Sequence, residues 1–127
     1  MKVLIAEDEK TLGKLLKMML ACGLPDCMVD VVVNGAEAVD AFRKGQYDVL
    51  LLDLQMPVKN GYQAFLEIQE ICRKESLKLP FVVFSTGYPL SAEIEELAHN
   101  DSRCSILRKP VASDVLLETI KSGCACS

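Results

Sequence analysis

Tryptophan is absent, histidine occurs once, at His99, and no apolar run approaches the roughly 20 residues that a membrane-spanning helix needs. A single imidazole rules out a histidine-rich metal centre. The six cysteines do not replace it: Cys22, Cys27, Cys72 and Cys104 are scattered through apolar stretches, and Cys124-Ala125-Cys126 lacks the C-x-x-C spacing of a redox or zinc pair. Most of Cys22, Cys27, Cys72 and Cys104 therefore read as small buried hydrophobes, and the final four residues as a frayed or solvated tail. Those four fit the outline of a prenylation box, but Ala125 and Cys126 stand where it wants aliphatic residues. Excess positive charge is also missing. Lys and Arg total 14 against 18 Asp and Glu, a net charge of -4, which argues against nucleic acid as a direct partner. No G-x-x-x-x-G-K-[ST] loop is present, so P-loop nucleotide hydrolysis is excluded. The chain opens on a strand at Lys2 rather than on a leader pattern, which makes a cytoplasmic location the expectation, with no membrane partner.

What remains is 127 residues, half of them hydrophobic, enough to bury the core of one domain. Short apolar runs alternate with amphipathic ones, the pattern of βα units around a parallel sheet. Strands are expected at about Lys2 to Ala6, Met28 to Val33, Asp48 to Asp53, Phe81 to Ser85 and Cys104 to Arg108. The first helix carries Leu12, Leu15, Leu16, Met19 and Leu20 at helical spacing and stops at Gly23. Asn34-Gly35-Ala36-Glu37 has the form of a capping box opening a second helix, which runs to Gly45. Helices three, four and five are expected over Gly61 to Glu75, over Ser91 to His99, and from Ser113-Asp114 onward. Leu50-Leu51-Leu52 and Phe81-Val82-Val83-Phe84 do not alternate, as befits central strands covered on both faces.

The ends of these strands carry the chemistry. Glu7-Asp8 follows the first, Asp53 closes the third and Lys109-Pro110 follows the fifth. In an open parallel sheet the carboxyl ends of the strands meet at one edge, where ligands bind. Three acids there repel one another and an incoming phosphoryl group, so the set calls for a divalent cation, and oxygen-only ligands favour Mg²⁺, with Mn²⁺ also compatible.

In order, placement and total length, Val3-Leu4-Ile5-Ala6-Glu7-Asp8-Glu9, Asp53-Leu54-Gln55-Met56-Pro57, Gly61 and Lys109-Pro110 resemble the receiver domains of two-component response regulators. The resemblance covers essentially the whole chain, 1–127, as a single receiver domain. It implies a doubly wound, flavodoxin-like α/β fold: a five-stranded parallel sheet of order 2-1-3-4-5 with five helices. It also implies that Asp53 accepts the phosphoryl group from a sensor histidine kinase or phosphotransfer protein. Asp8, Asp53 and the backbone carbonyl of Gln55 would hold the metal, with Glu7 acting through water. Lys109 would meet a phosphoryl oxygen, and the Lys109-Pro110 bond would be cis. The chain would not be an enzyme in its own right, but would assist its own phosphorylation and dephosphorylation.

The hydroxyl that senses the phosphoryl group is expected within Ser85-Thr86, with Ser85 favoured by counting from Pro80. The family places a Tyr or Phe three residues before its lysine; here that switch position is Ile106, and Tyr88, in the loop before helix four, is the aromatic that would carry part of the readout instead. The output face implied by the family is formed by helix four, strand five and helix five, on a monomer or a phosphorylation-linked dimer. Alternatives fare worse. A flavodoxin-type flavin protein would want a Ser/Thr/Gly-rich first loop where Glu7-Asp8-Glu9 stands, and an aspartyl-nucleophile phosphatase would want an acid where Gln55 stands. A pseudo-receiver that binds partners without phosphorylation is the remaining alternative.

Overall fold

A computed structural model describes residues 1–125. Five strands, β1 (Lys2–Ala6), β2 (Met28–Val32), β3 (Val49–Asp53), β4 (Phe81–Thr86) and β5 (Cys104–Arg108), pair in parallel in the order β2-β1-β3-β4-β5. They alternate with α1 (Lys10–Gly23), α2 (Gly35–Lys44), α3 (Gly61–Glu75), α4 (Ala92–Asn100) and α5 (Ser113–Ala125). The expected α/β order is the observed one. Among the described residues, no helix is long and apolar enough to cross a membrane.

Side chains alternate between the two faces of each strand, so the sheet supports two cores. On one face Leu4, Leu50, Leu52 and Phe84 pack against α2 and α3, with Ile94 and Leu97 of α4 joining from the margin. Phe65 of α3 meets Phe84 edge-on, with ring centroids 5.6 Å apart. On the other face Val3, Ile5, Leu51 and Val83 pack against Leu16 and Leu20 of α1 and Leu116 and Ile120 of α5. Every residue of β3 is buried, which is why its sequence does not alternate. The helices thus cover both faces of the sheet.

Helix starts are fixed locally. The Asn34 side chain accepts the Glu37 N–H at the head of α2. Glu37 reaches back to the Val33 N–H rather than to the cap residue's own, so the expected box is only half formed there. That bond helps explain why β2 ends one residue earlier than its apolar run suggests. A reciprocal box does form at α3, between Asn60 and Gln63. Two expectations about cysteine need correction. Cys22 is exposed on α1, because its position points away from both cores, and Cys124 lies within α5, packed against the α1–α5 core. Cys72 and Cys104 are buried as expected, whereas Cys27 is only partly buried at the margin of the α1–α5 core. The reading of the tail at Cys126 and Ser127 lies outside the described residues.

Candidate functional site

The carboxyl ends of β1, β3 and β5 bring their charged residues together. Glu7 follows β1, its backbone N–H donating to Val32 O at 3.0 Å, and Lys109 follows β5, its N–H donating to Thr86 O at 2.9 Å. The Lys109 ammonium lies 3.0 Å from Asp53 Oδ2 and 3.1 Å from Glu7 Oε1. Carboxylate oxygens of Glu7, Asp8 and Asp53 lie within 4.8 Å of one another. Glu7 and Asp53 are each only 1% exposed, whereas Asp8 is exposed. The Lys109-Pro110 peptide bond is cis.

Backbone donors complete the carboxylate contacts. Asp53 Oδ1 accepts the Gln55 N–H at 3.0 Å, and Glu7 Oε2 accepts the Glu9 N–H at 3.1 Å. Glu7 Oε1 faces Lys109 without hydrogen-bond alignment and is a buried oxygen left without a hydrogen-bond partner. Burial pushes the Glu7 carboxyl up to about 7, against the opposing pull of the Glu9 N–H and Lys109, while Asp53 adds to the rise. Burial alone would lower Lys109. Its bond to Asp53 and the negative charge of both Asp53 and Glu7 outweigh that effect, and its affinity for the proton is raised. Two buried carboxyl groups share one ammonium, a third carboxylate lies beside them, and one buried oxygen lacks a hydrogen-bond donor. An oxygen-ligated cation fits this donor set.

Register separates the two hydroxyls that counting left ambiguous. Ser85 is the direct partner of Asp53 across β3 and β4, so the two side chains share a face. Thr86 points to the other face, where its hydroxyl lies 3.1 Å from Gln55 Oε1 and contacts the Tyr88 backbone. Both are buried. Ile106 pairs with Phe84 and packs half-buried against the α2–α3 core, whereas Tyr88 is 63% exposed.

Around the acceptor, two close approaches require glycine. A Cβ on Gly61 would fall 2.5 Å from Asp53 O, and one on Gly35 would fall 2.3 Å from Lys59 O. The segment after Asp53 is thereby pressed against the starts of α3 and α2. Between them Lys59 N–H donates to Pro57 O at 2.7 Å, closing a three-residue turn around Val58 at φ 67°. No glycine or asparagine at position 58 announces that turn in the sequence. A cavity of about 620 Å³, lined in part by Asp48, Phe81 and Arg103, lies at the opposite edge of the sheet, away from the acids.

Fold and site define a receiver-type pocket, and sequence comparison agrees. A family model described as response regulator receiver domain matches residues 3–121. The chain belongs to that family. It is 30% identical over 132 aligned positions to hybrid signal transduction histidine kinase B of Dictyostelium discoideum, covering 94% of this chain but 6% of that protein. A stretch of 43 residues is 49% identical to two-component response regulator 24 of Arabidopsis thaliana, covering 33% of this chain and 31% of that one. The chain therefore spans a small part of the length of these curated relatives. Among solved structures, the N-terminal domain of a response regulator/sensory box/GGDEF 3-domain protein from Carboxydothermus hydrogenoformans superposes with a TM-score of 0.80 at 25% identity, over 99% of this chain and 95% of that one. The Francisella response regulator 1452 receiver domain gives 0.76 at 23% identity, over 98% and 97%.

Proposed function

We propose that the protein is a phosphorylation-operated signalling switch whose acceptor is Asp53. The observation that carries this reading is the Lys109 ammonium held between buried Asp53 and Glu7 beside exposed Asp8. A carboxylate attacks a phosphoryl donor only when the charge on both is offset, and here one cation is already aimed at the acceptor. The donor is a phosphohistidine on a sensor kinase or phosphotransfer protein. An Asp53 oxygen forms the new P–O bond as the P–N bond breaks, and the leaving imidazole nitrogen keeps the electron pair and takes up a proton.

Asp8, Asp53 and the Gln55 carbonyl would hold Mg²⁺, or Mn²⁺ in its place, with Glu7 acting through water. When bound, the ion supplies positive charge between acceptor and donor. Lys109 then follows the phosphoryl oxygen, and Ser85, on the Asp53 face, closes on another. These groups position and neutralise, the usual protein contribution to phosphoryl transfer. The face of α4, β5 and α5 carries the signal to a protein partner, from a monomer or a phosphorylation-linked dimer.

The metal assignment has a direct test. In titration calorimetry, Asp8→Ala should weaken Mg²⁺ binding at least about tenfold, the loss of roughly 1.4 kcal/mol, while Glu7→Ala should weaken it less. Equal affinity in wild type and Asp8→Ala contradicts the assignment. The phosphoryl group gained from acetyl phosphate should be released by hydroxylamine, as an acyl phosphate is. A hydroxylamine-stable product points to a different acceptor.

A further inference from the structure

We propose that Thr86 is a positioning residue that couples the acceptor segment to the loop carrying Tyr88, through a hydroxyl proton that two oxygens compete for. The inference rests on the phosphoacceptor reading only for what drives the switch. Thr86 is fully buried, and its Oγ1 accepts the Tyr88 N–H at 3.1 Å. The same oxygen lies 3.1 Å from Gln55 Oε1 and 3.1 Å from Tyr88 O, yet a threonine hydroxyl has one proton to donate. It serves Gln55 or Tyr88, not both. Tyr88 O has a second donor, the Arg108 guanidinium at 3.2 Å, so it stays satisfied when the proton turns to Gln55. The cluster therefore has two discrete arrangements rather than a continuum.

Gln55 ties this choice to the acceptor. Its backbone N–H donates to Asp53 Oδ1 at 3.0 Å, a bond strengthened by the carboxylate charge. Conversion of Asp53 to an acyl phosphate removes that charge from the carboxyl oxygens, so the bond weakens and Gln55 can re-seat. The Thr86 proton then passes to Tyr88 O, which shares its acceptor capacity between Thr86 and the Arg108 guanidinium at the end of β5, so the Arg108 contact changes with it. A ligand shifts a two-state element only through contacts that differ between the states, and this hydrogen bond is such a contact. The device needs no aromatic at Ile106. Its readout is the orientation of Tyr88, an exposed ring on a backbone pinned at both its N–H and its carbonyl.

The test uses Thr86→Val, Thr86→Ser and Gln55→Leu. In the unphosphorylated protein, Thr86→Val should speed hydrogen exchange of the Tyr88 amide about tenfold, the loss of one hydrogen bond, while exchange at Leu52 in the core stays unchanged. Thr86→Ser should restore protection, and Gln55→Leu should keep it. With Mg²⁺ and beryllofluoride as the phosphoryl mimic, amide shifts at Lys109, Tyr88 and Arg108 should move in wild type and in Thr86→Ser. In Thr86→Val and Gln55→Leu, Lys109 should still move while the changes at Tyr88 and Arg108 fall by more than half. Wild-type exchange at Tyr88 in Thr86→Val overturns the latch whether or not Asp53 accepts phosphate. Undiminished Tyr88 shifts in Gln55→Leu overturn the coupling. A silent Lys109 in wild type overturns the phosphoacceptor reading and the drive it supplies, while the exchange rates still decide the latch.

Discussion

Replacing Lys109 with Ala is expected to lower the stability of the metal-free protein at pH 8 by about 3 kcal/mol, the low end of the cost of breaking a buried ion pair. The ammonium is 26% exposed, but the carboxylates it joins, Glu7 and Asp53, are at most 2% exposed. Its removal leaves two buried acids facing one another. Mg²⁺ should return part of the loss, because it restores positive charge to the same oxygens. At pH 5 the loss should shrink, since Glu7 is then protonated. Urea unfolding with and without Mg²⁺ measures all three, and a loss below about 1 kcal/mol at pH 8 would show that the lysine is screened by solvent. The same variant should still take Mg²⁺ yet fail to pass the conformational signal to α4 and α5.

The second large effect is a pH dependence set by Glu7. Its carboxyl is raised from 4.5 to about 7, so the folded protein keeps a proton that the unfolded chain releases earlier. Stability from this group is full below about pH 4.5 and is lost as pH rises through about 7, at most about 3 kcal/mol. Metal-free protein should therefore show a fall in unfolding free energy between pH 5 and pH 7.5 that Glu7→Gln lacks. Other carboxyl groups titrate in both proteins and cancel in the difference. Mg²⁺ should reduce the fall, since it binds the ionised form. Parallel stability profiles for wild type and Glu7→Gln would place the Glu7 carboxyl near its ordinary value.

The sheet was readable because its physics is local. Val49 to Leu52 is a continuous apolar run, so β3 had to be covered on both faces, and the amphipathic runs between strands had to cover it. Strand ends shifted by single residues where a bond outside the pattern intervened. Glu37 takes the Val33 N–H, and β4 extends to Thr86, whose carbonyl accepts the Lys109 N–H. The acids and the lysine could be placed because parallel strands bring their carboxyl ends to one edge.

What sequence could not supply depends on contacts across long separations. Whether Ser85 or Thr86 shares the face of Asp53 is a question of register between β3 and β4. The bond between Thr86 and Gln55 joins residues 31 apart, and no motif marks it. The upward shift of Glu7 follows from burial to 1% exposure, which a residue at a strand end does not announce. The turn at Val58 is held by the packing of Lys59 against the head of α2, not by turn-forming residues.

The central claim is that Asp53 is the phosphoryl acceptor, and intact-mass analysis after treatment with acetyl phosphate and Mg²⁺ tests it most directly. The account predicts the gain of one phosphoryl group in wild type, none without the metal and none in Asp53→Asn. An unmodified mass under conditions that label another receiver domain, or the same gain in Asp53→Asn, would contradict it.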